Sequence, residues 1–382
     1  MGIYTTLKMA LLLPMLCPGL FLFTFAAQRL RYFEILNNTD SENADAAFKK
    51  CKETNASMMT LYDEQDAKFA FNFTKGCEEL GPTRKCWLGL QYVGNCSKWS
   101  SGEPVTFLSN NITTHHSRNE QTCVAIENKE WKKFNCSDKK FFMCSKGDNY
   151  SLVESAKTWC QALKHCRKKH AELVSIHNET QNETVINRGK NESFWIGLQL
   201  DCWRWDDNGC SSFREWTDLN NEGTIDAEWT GMGINDQSVS LYLRNNVSGL
   251  SSFCAKGNVS IKVVDQSETW EKAFDYCKKH HSRLLWITDE PDQKAVEQWL
   301  NNYDVGVDGP FWIGLIQSRV FGFWIWAGGT TVGYSNWKGE EPPEMPMSQN
   351  CGVIDKDDKK WSDENCLYKR PFLCEEDIIY MS

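Results

Sequence analysis

The sequence predicts an α+β protein built as three tandem copies of one disulfide-closed unit. Three observations predict it. A short apolar strand recurs as Trp87-Leu88-Gly89-Leu90, Trp195-Ile196-Gly197-Leu198 and Trp312-Ile313-Gly314-Leu315. A helix with a cysteine on its apolar face precedes each strand. An aromatic residue and a cysteine close each copy, at Phe142-Met143-Cys144, Phe253-Cys254 and Phe372-Leu373-Cys374. The copies lie roughly 110 residues apart, the spacing of whole domains rather than of solenoid units.

The helix is read from its apolar stripe. Ala44, Ala47, Phe48 and Cys51 recur as Trp159, Ala162, Leu163 and Cys166, and again as Trp270, Ala273, Phe274 and Cys277. Each set has the i, i+3, i+4, i+7 spacing of one helical face. An aliphatic follows ten residues after each cysteine, at Leu61, Ile176 and Ile287. A second, polar-faced helix is expected next, as over 289–301. The glycine inside each Trp strand implies close backbone approach. Trp203 and Trp205, like Trp324 and Trp326, alternate at strand period, so one of each pair is expected to face the core.

The cysteines suggest a framework. Helical and closing cysteines would tie both ends of each unit, as Cys51–Cys144, Cys166–Cys254 and Cys277–Cys374. Each cross-link closes a loop on the order of 90 residues and contributes roughly 4 kcal/mol in the chain-entropy picture. An inner bridge fits two copies, as Cys123–Cys136 and Cys351–Cys366; the middle copy has Asn246 in its place. Cys77, Cys86, Cys96, Cys160, Cys202 and Cys210 remain and admit several pairings. Cys77–Cys86 and Cys202–Cys210 are the short local ones. They would leave Cys96 and Cys160 for a bridge between domains.

Residues 1–26 read as a secretory signal. Lys8 supplies the positive start, Met9 to Phe25 the apolar stretch, and Thr24-Phe25-Ala26 a small-residue cleavage site. The alternative is a single-span membrane anchor, against which Pro14, Pro18 and Gly19 interrupt the run. No later stretch is apolar enough to span, so no membrane span is expected after signal removal. Removing Cys17 leaves an even number of cysteines, as an oxidising compartment favours. Asn-x-Ser/Thr sequons stand at Asn37, Asn55, Asn72, Asn95, Asn111, Asn135, Asn149, Asn178, Asn182, Asn191, Asn246 and Asn258. That density points to a secreted, extracellular glycoprotein. The sequence beyond Asn258 carries none. The net charge of -9 excludes the broad basic footprint of a nucleic-acid binder.

Helical cysteine, Trp-Ile-Gly-Leu strand, inner cysteine pair and closing Phe-x-Cys together resemble the C-type-lectin-like domain family. The resemblance runs from about Arg31 to Glu375. It implies domains at 28–146, 147–256 and 257–376, after the signal peptide read at 1–26. Each would be a double-loop fold with two helices and antiparallel sheets, tandem copies looking like those of the macrophage mannose receptor group.

In sugar-binding members a long loop and a following strand supply carboxylate and amide oxygens to Ca2+. Calcium takes six to eight such oxygens, and sugar hydroxyls complete the shell. In the first copy that strand reads Trp131-Lys132-Lys133, and lysine has no acceptor. In the second it reads Leu241-Tyr242-Leu243, without a carboxylate. The third keeps Glu341-Pro342, but Pro343 replaces the expected amide, and Trp361-Ser362-Asp363 keeps only its acid. The resemblance therefore leaves domain 3 as the sole candidate for Ca2+. Glu341, Gln349, Ser362 and Asp363 are its weak metal ligands, with Glu344 and Trp361 as ligand-binding candidates.

The histidines form adjacent pairs or flank a bridged cysteine, which suits no zinc site. No nucleophile stands in an oriented acid–base constellation. The sequence thus reads as a non-catalytic binder of a glycan or an extracellular protein, with its calcium-dependent sugar site degraded. The alternative is a calcium-dependent lectin acting through domain 3.

Overall fold

In a computed structural model the described residues are 30–36, 43–74, 79–80, 83–94, 96–112, 121–214, 229–234, 239–244, 250–303, 306–318, 322–343 and 349–381. The signal segment lies outside them. Six helices are described: α1 (Ala44–Glu53), α2 (Glu64–Phe73), α3 (Trp159–Lys168), α4 (Glu179–Arg188), α5 (Trp270–His280) and α6 (Glu290–Asn302). None is long and apolar enough to cross a membrane.

Local sequence explains the helices. Asn43, Asp63, Asn178 and Asp289 each accept the backbone N–H three residues on, and Thr158 with Gln161 forms a capping box. The predicted stripes are buried, with Ala44, Ala47 and Cys51 at 0% exposure. Trp159 and Trp270 open their helices in the same way, each donating Nε1–H at 2.8 Å to a carbonyl of the neighbouring Trp strand, Ile196 or Ile313. The strand glycines make room for backbone. A Cβ on Gly89 would lie 2.9 Å from the Met58 carbonyl oxygen, and one on Gly197 would lie 3.0 Å from that of Leu173.

The third module closes on itself. Its sheet runs Val259–Glu268, Arg370–Asp377, Phe311–Gln317, Asn350–Ile354 and Trp361–Asn365, with Trp324–Trp326 added at the side. The opening strand pairs with the closing strand, Val263 opposite Leu373.

The first two repeats do not close on themselves; they trade halves. The opening strand of the first, Tyr32–Leu36, pairs with the closing strand of the second, Ser251–Lys256, with Ile35 opposite Phe253. The first Trp strand, Thr83–Tyr92, pairs with Trp203–Trp205 and Trp229–Ile234 of the second repeat. Conversely, the second Trp strand, Phe194–Asp201, pairs with Ser97–Trp99, Gln121–Glu127 and Lys140–Lys146 of the first. Residues 97–201 therefore form one unit, inserted between the two halves of an outer unit, 30–92 and 203–256.

A tight hairpin accounts for the exchange. Lys140–Lys146 runs straight into Asn149–Lys157 through Gly147 and Asp148, with Lys146 opposite Asn149. Gly147 has φ 58°, as a two-residue hairpin with glycine at its first central position requires. Pairing across two residues costs far less loop entropy than pairing across a whole repeat. The hairpin fills the position that Tyr32–Leu36 would otherwise take. At the next junction, Lys256-Gly257-Asn258-Val259, no such hairpin forms: Val259 pairs with Asp377 instead.

The bridges follow the exchange and correct the expected pairing. Cys51 is bonded to Cys254 and Cys166 to Cys144, rather than Cys51 to Cys144 and Cys166 to Cys254. Each is still a helical cysteine on a closing cysteine; only the repeat supplying the partner differs. Their Cα–Cα distances of 5.5 and 5.6 Å match the 5.5 Å of Cys277–Cys374 in the self-closed module. Cys123–Cys136 and Cys351–Cys366 form the inner bridges.

The expected Cys202–Cys210 is also absent, as is any Cys96–Cys160 bridge. Cys96 is bonded to Cys202, and Cys160 to Cys210. Both new pairs clasp the two exchanged units. Cys96 and Cys202 sit where the chain crosses between them, flanked by Val93 N–H donating to the Cys202 carbonyl and Asp201 N–H to that of Cys96. The strand Trp203–Trp205 leaves directly from that crossing and carries Cys210 away toward α3. Cys86 is disulfide-bonded, while Cys77 lies outside the described residues.

The outer unit and the third module share a core. Phe69 of α2 stacks on Trp299 of α6 with centroids 4.6 Å apart. Gln298 exchanges two hydrogen bonds with the Phe33 backbone. Trp203, Trp205, Trp324 and Trp326 are all buried, so core packing extends to both members of each alternating pair. Covering groups account for this: Tyr92 packs on Trp203, the Arg214 guanidinium on Trp205 and Trp337 on Trp324.

Several sequon asparagines are spoken for. Asn182 is 7% exposed and bonded through both its amide atoms. Asn72 donates to the Asn302 carbonyl where α2 meets α6. Glycans at these two sites would require opening the packed helices. Asn55, Asn111, Asn135, Asn149, Asn178 and Asn191 are exposed, and Asn258 is half-buried. Asn37, Asn95 and Asn246 lie outside the described residues.

Candidate functional site

The region of the third module where the candidate ligands fall is built on two paired strands, Asn350–Ile354 and Trp361–Asn365, with Gly352 opposite Asp363. The loop before them is pinned to the second strand. Trp361 N–H donates to the Asn336 carbonyl, and Lys338 N–H donates to that of Trp361, both at 2.9 Å.

Trp361 is not a ligand-binding surface, contrary to expectation. It is fully buried, edge-on to Trp326, Tyr334 and Trp337. Its Nε1–H donates to Gln293 Oε1 of α6 at 3.0 Å. The inserted unit repeats this arrangement: buried Trp131 donates to Asn182 Oδ1 of α4 at 2.9 Å. Gln293 and Asn182 each stand four residues after their helix N-cap. A polar amide at that step of the inward face marks the tryptophan as a core peg.

The other candidates disperse. Asp363 is half-buried, and its Oδ2 accepts from Asn350 Nδ2 at 2.6 Å. Ser362 is half-buried beside it. Gln349 is exposed, its backbone carbonyl accepting from Cys366 N–H. Glu341 sits on an exposed turn, and Glu344 lies outside the described residues. Cations border the region: Lys338 pairs with Asp358 at 3.0 Å, and Lys360 donates to Asn336 Oδ1 at 2.5 Å. The Lys360 backbone N–H and then Lys338 hold the Asp358 carboxyl below its usual pKa. Among the described residues, no three His, Cys, Asp or Glu converge to hold a metal. In the first repeat, Lys132 turns to Glu127 at 3.4 Å. In the second, Leu241 is buried in the core.

Geometry and framework together define a class: disulfide-closed α+β modules, used three times in one chain. The description of the C-type lectin domain matches residues 40–146, 155–256 and 266–376, and the chain belongs to that family. It is 23% identical to the secretory phospholipase A2 receptor of Bos taurus, over 88% of this chain and 27% of the receptor. It is 21% identical to C-type mannose receptor 2 of Homo sapiens, over 64% of this chain and 19% of the receptor. Lymphocyte antigen 75 of Homo sapiens is 26% identical over 58% and 15%. The chain thus spans about a quarter or less of these multi-domain receptors. Among solved structures, human lithostathine matches with 24% identity and a TM-score of 0.29, covering 32% of this chain and 94% of its own.

Proposed function

We propose that the chain is a secreted, non-catalytic glycoprotein whose modules bind an extracellular ligand, carbohydrate or protein, without the calcium-dependent sugar site of lectins. The observation that carries this reading is the dispersal of oxygens in the third module. Asp363 is engaged by Asn350, Trp361 is a core peg, Glu341 sits on an exposed turn followed by two prolines, and no three His, Cys, Asp or Glu converge among the described residues. A hard divalent cation needs several oxygens held at once. Relatives named as receptors agree with a binding role.

Calorimetry of the full chain with calcium tests the reading, followed by a glycan array with and without chelator. The full chain is needed because α6 and the outer unit share one core. The expected result is no calcium heat up to about 5 mM, beyond the usual range of extracellular modules, and an array unchanged by chelator. A chelator-sensitive glycan signal abolished by Asp363→Ala would establish the alternative, a calcium-dependent lectin acting through domain 3.

A further inference from the structure

A net charge of -9 hides one strongly basic place. A groove of about 440 Å³ lies between the inserted unit and the third module. Lys139, Lys157, Lys164, Lys168, Lys278 and Lys279 line it, against one acid, Glu376. Only Lys164 is neutralised in its floor, held by Glu376 at 3.0 Å and Asp377 at 3.5 Å. The other five have no ion pair among the described residues. Four of these five, all but Lys157, are exposed.

Helix dipoles do not explain the cluster. They favour cations in the last turns of α3 and α5, which accounts for Lys168, Lys278 and Lys279. Lys139 and Lys157 belong to a turn and a strand, yet they join the same groove. The histidines register the resulting field. Desolvation, then Lys169, Lys157 and Lys168, hold His165 below its usual pKa. Desolvation, then Lys279, His281, Lys139 and Lys157, do the same for His280. His165 Nε2 is buried at the groove with no hydrogen-bond partner among the described residues.

The chemistry of the lining selects the anion. It contains no arginine, the residue suited to forked recognition of one carboxylate or phosphate. Lysines are hydrated point charges on flexible stems, suited to a ligand whose charges are spread along it. It contains no Trp, Tyr or Phe on which nucleic-acid bases would stack. The aromatic anchors of a protein interface are missing for the same reason. A second cavity of about 320 Å³ adjoins the groove at Lys164 and Glu376, but it adds Tyr62, Asp63 and Asp377, so the basic lining ends where the two meet.

We infer that this inter-module groove is a binding site for a sulfated polysaccharide. None of the Asp363-region residues lines it and it requires no metal, so either outcome of the calcium test leaves it standing.

Binding of the full-length glycoprotein to immobilised heparin, across a salt series around 0.15 M, tests the assignment. The variant Lys139→Gln/Lys157→Gln/Lys168→Gln/Lys279→Gln is expected to bind about tenfold more weakly or worse. Its slope of log affinity on log salt should fall by about three. The charge-matched control Lys49→Gln/Lys68→Gln/Lys256→Gln/Lys294→Gln, away from the groove, should stay within about twofold of the parent. Desulfated heparin should not bind. Circular dichroism melts of both variants should match the parent, since every substituted group but the half-buried Lys157 is exposed. The assignment is overturned if the parent ignores heparin or if the two variants weaken alike. Equal binding of poly-glutamate would also overturn it, in favour of an acidic protein partner.

Discussion

The third module and the exchanged pair use one local code and reach different long-range answers. In both, a helical cysteine meets a closing cysteine at about 5.5 Å between Cα atoms, and a tryptophan helix-opener caps a strand carbonyl. In the third module the partners lie within one repeat, 97 residues apart for Cys277 and Cys374. In the pair, Cys51 reaches Cys254 across 203 residues, and Cys144 reaches Cys166 across only 22. Short-range interactions thus specify what a segment pairs with by type. A two-residue hairpin at Gly147 then decides which copy supplies it.

Core chemistry agrees with the hairpin. Trp131, Leu241 and Trp361 occupy the same step before their closing cysteines. The residues four beyond the N-caps of α2, α4 and α6 are Ala67, Asn182 and Gln293. Exchange puts Trp131 on Asn182 and places Leu241 and Ala67 in one core. Without exchange, the Trp131 Nε1–H would face Ala67, and the Asn182 amide would face Leu241. Each mismatch strands a buried polar group, costing about 1–3 kcal/mol.

The largest effect that would break the comparison is all-or-none. Proteolytic nicking at Gly147 should leave the fragments joined until reductant is added, because Cys51–Cys254, Cys96–Cys202 and Cys144–Cys166 all span the cut. Non-reducing electrophoresis shows the outcome; release without reductant would mean self-closed repeats. Next in size, Trp299→Ala should destabilise the fold by about 3–5 kcal/mol by opening the core shared by α2 and α6. Denaturant melts should show the loss in both the outer unit and the third module.

Smaller is a pH effect confined to the third module. Burial pushes the Glu375 carboxyl up from 4.5 to about 7, although Arg283 and the Trp286 N–H, each at 2.8 Å, pull the other way. Between those values the folded state holds the extra proton. Stability therefore falls as pH rises from about 4.5 to about 7, by roughly 3 kcal/mol at most. Glu375→Gln, which mimics the protonated acid, should gain on the parent across that window in denaturant titrations. A constant difference would remove Glu375 from the account. The smallest effect is a double-mutant cycle. Trp131→Phe and Asn182→Leu should couple by about 1 kcal/mol, whereas Trp131→Phe and Ala67→Ser should not couple.

Much of this was legible in the chain. Helix faces, strand glycines and the pairing of helical with closing cysteines all follow from local spacing. The choice of copy does not, because Cys144 and Cys254 end near-identical motifs. Its signals were weaker: a hairpin-forming Gly147-Asp148, and an amide at Asn182 where Ala67 has none. Trp361 was misread for a related reason. Strand position alone does not distinguish an exposed indole from a buried one, whereas Gln293 on the inward face of α6 does.

The most direct test is mass-spectrometric mapping of cystine-linked peptides from the unreduced protein. Cys51 joined to Cys254, with Cys144 joined to Cys166, is the predicted result. Cys51 joined to Cys144, with Cys166 joined to Cys254, would contradict the exchange.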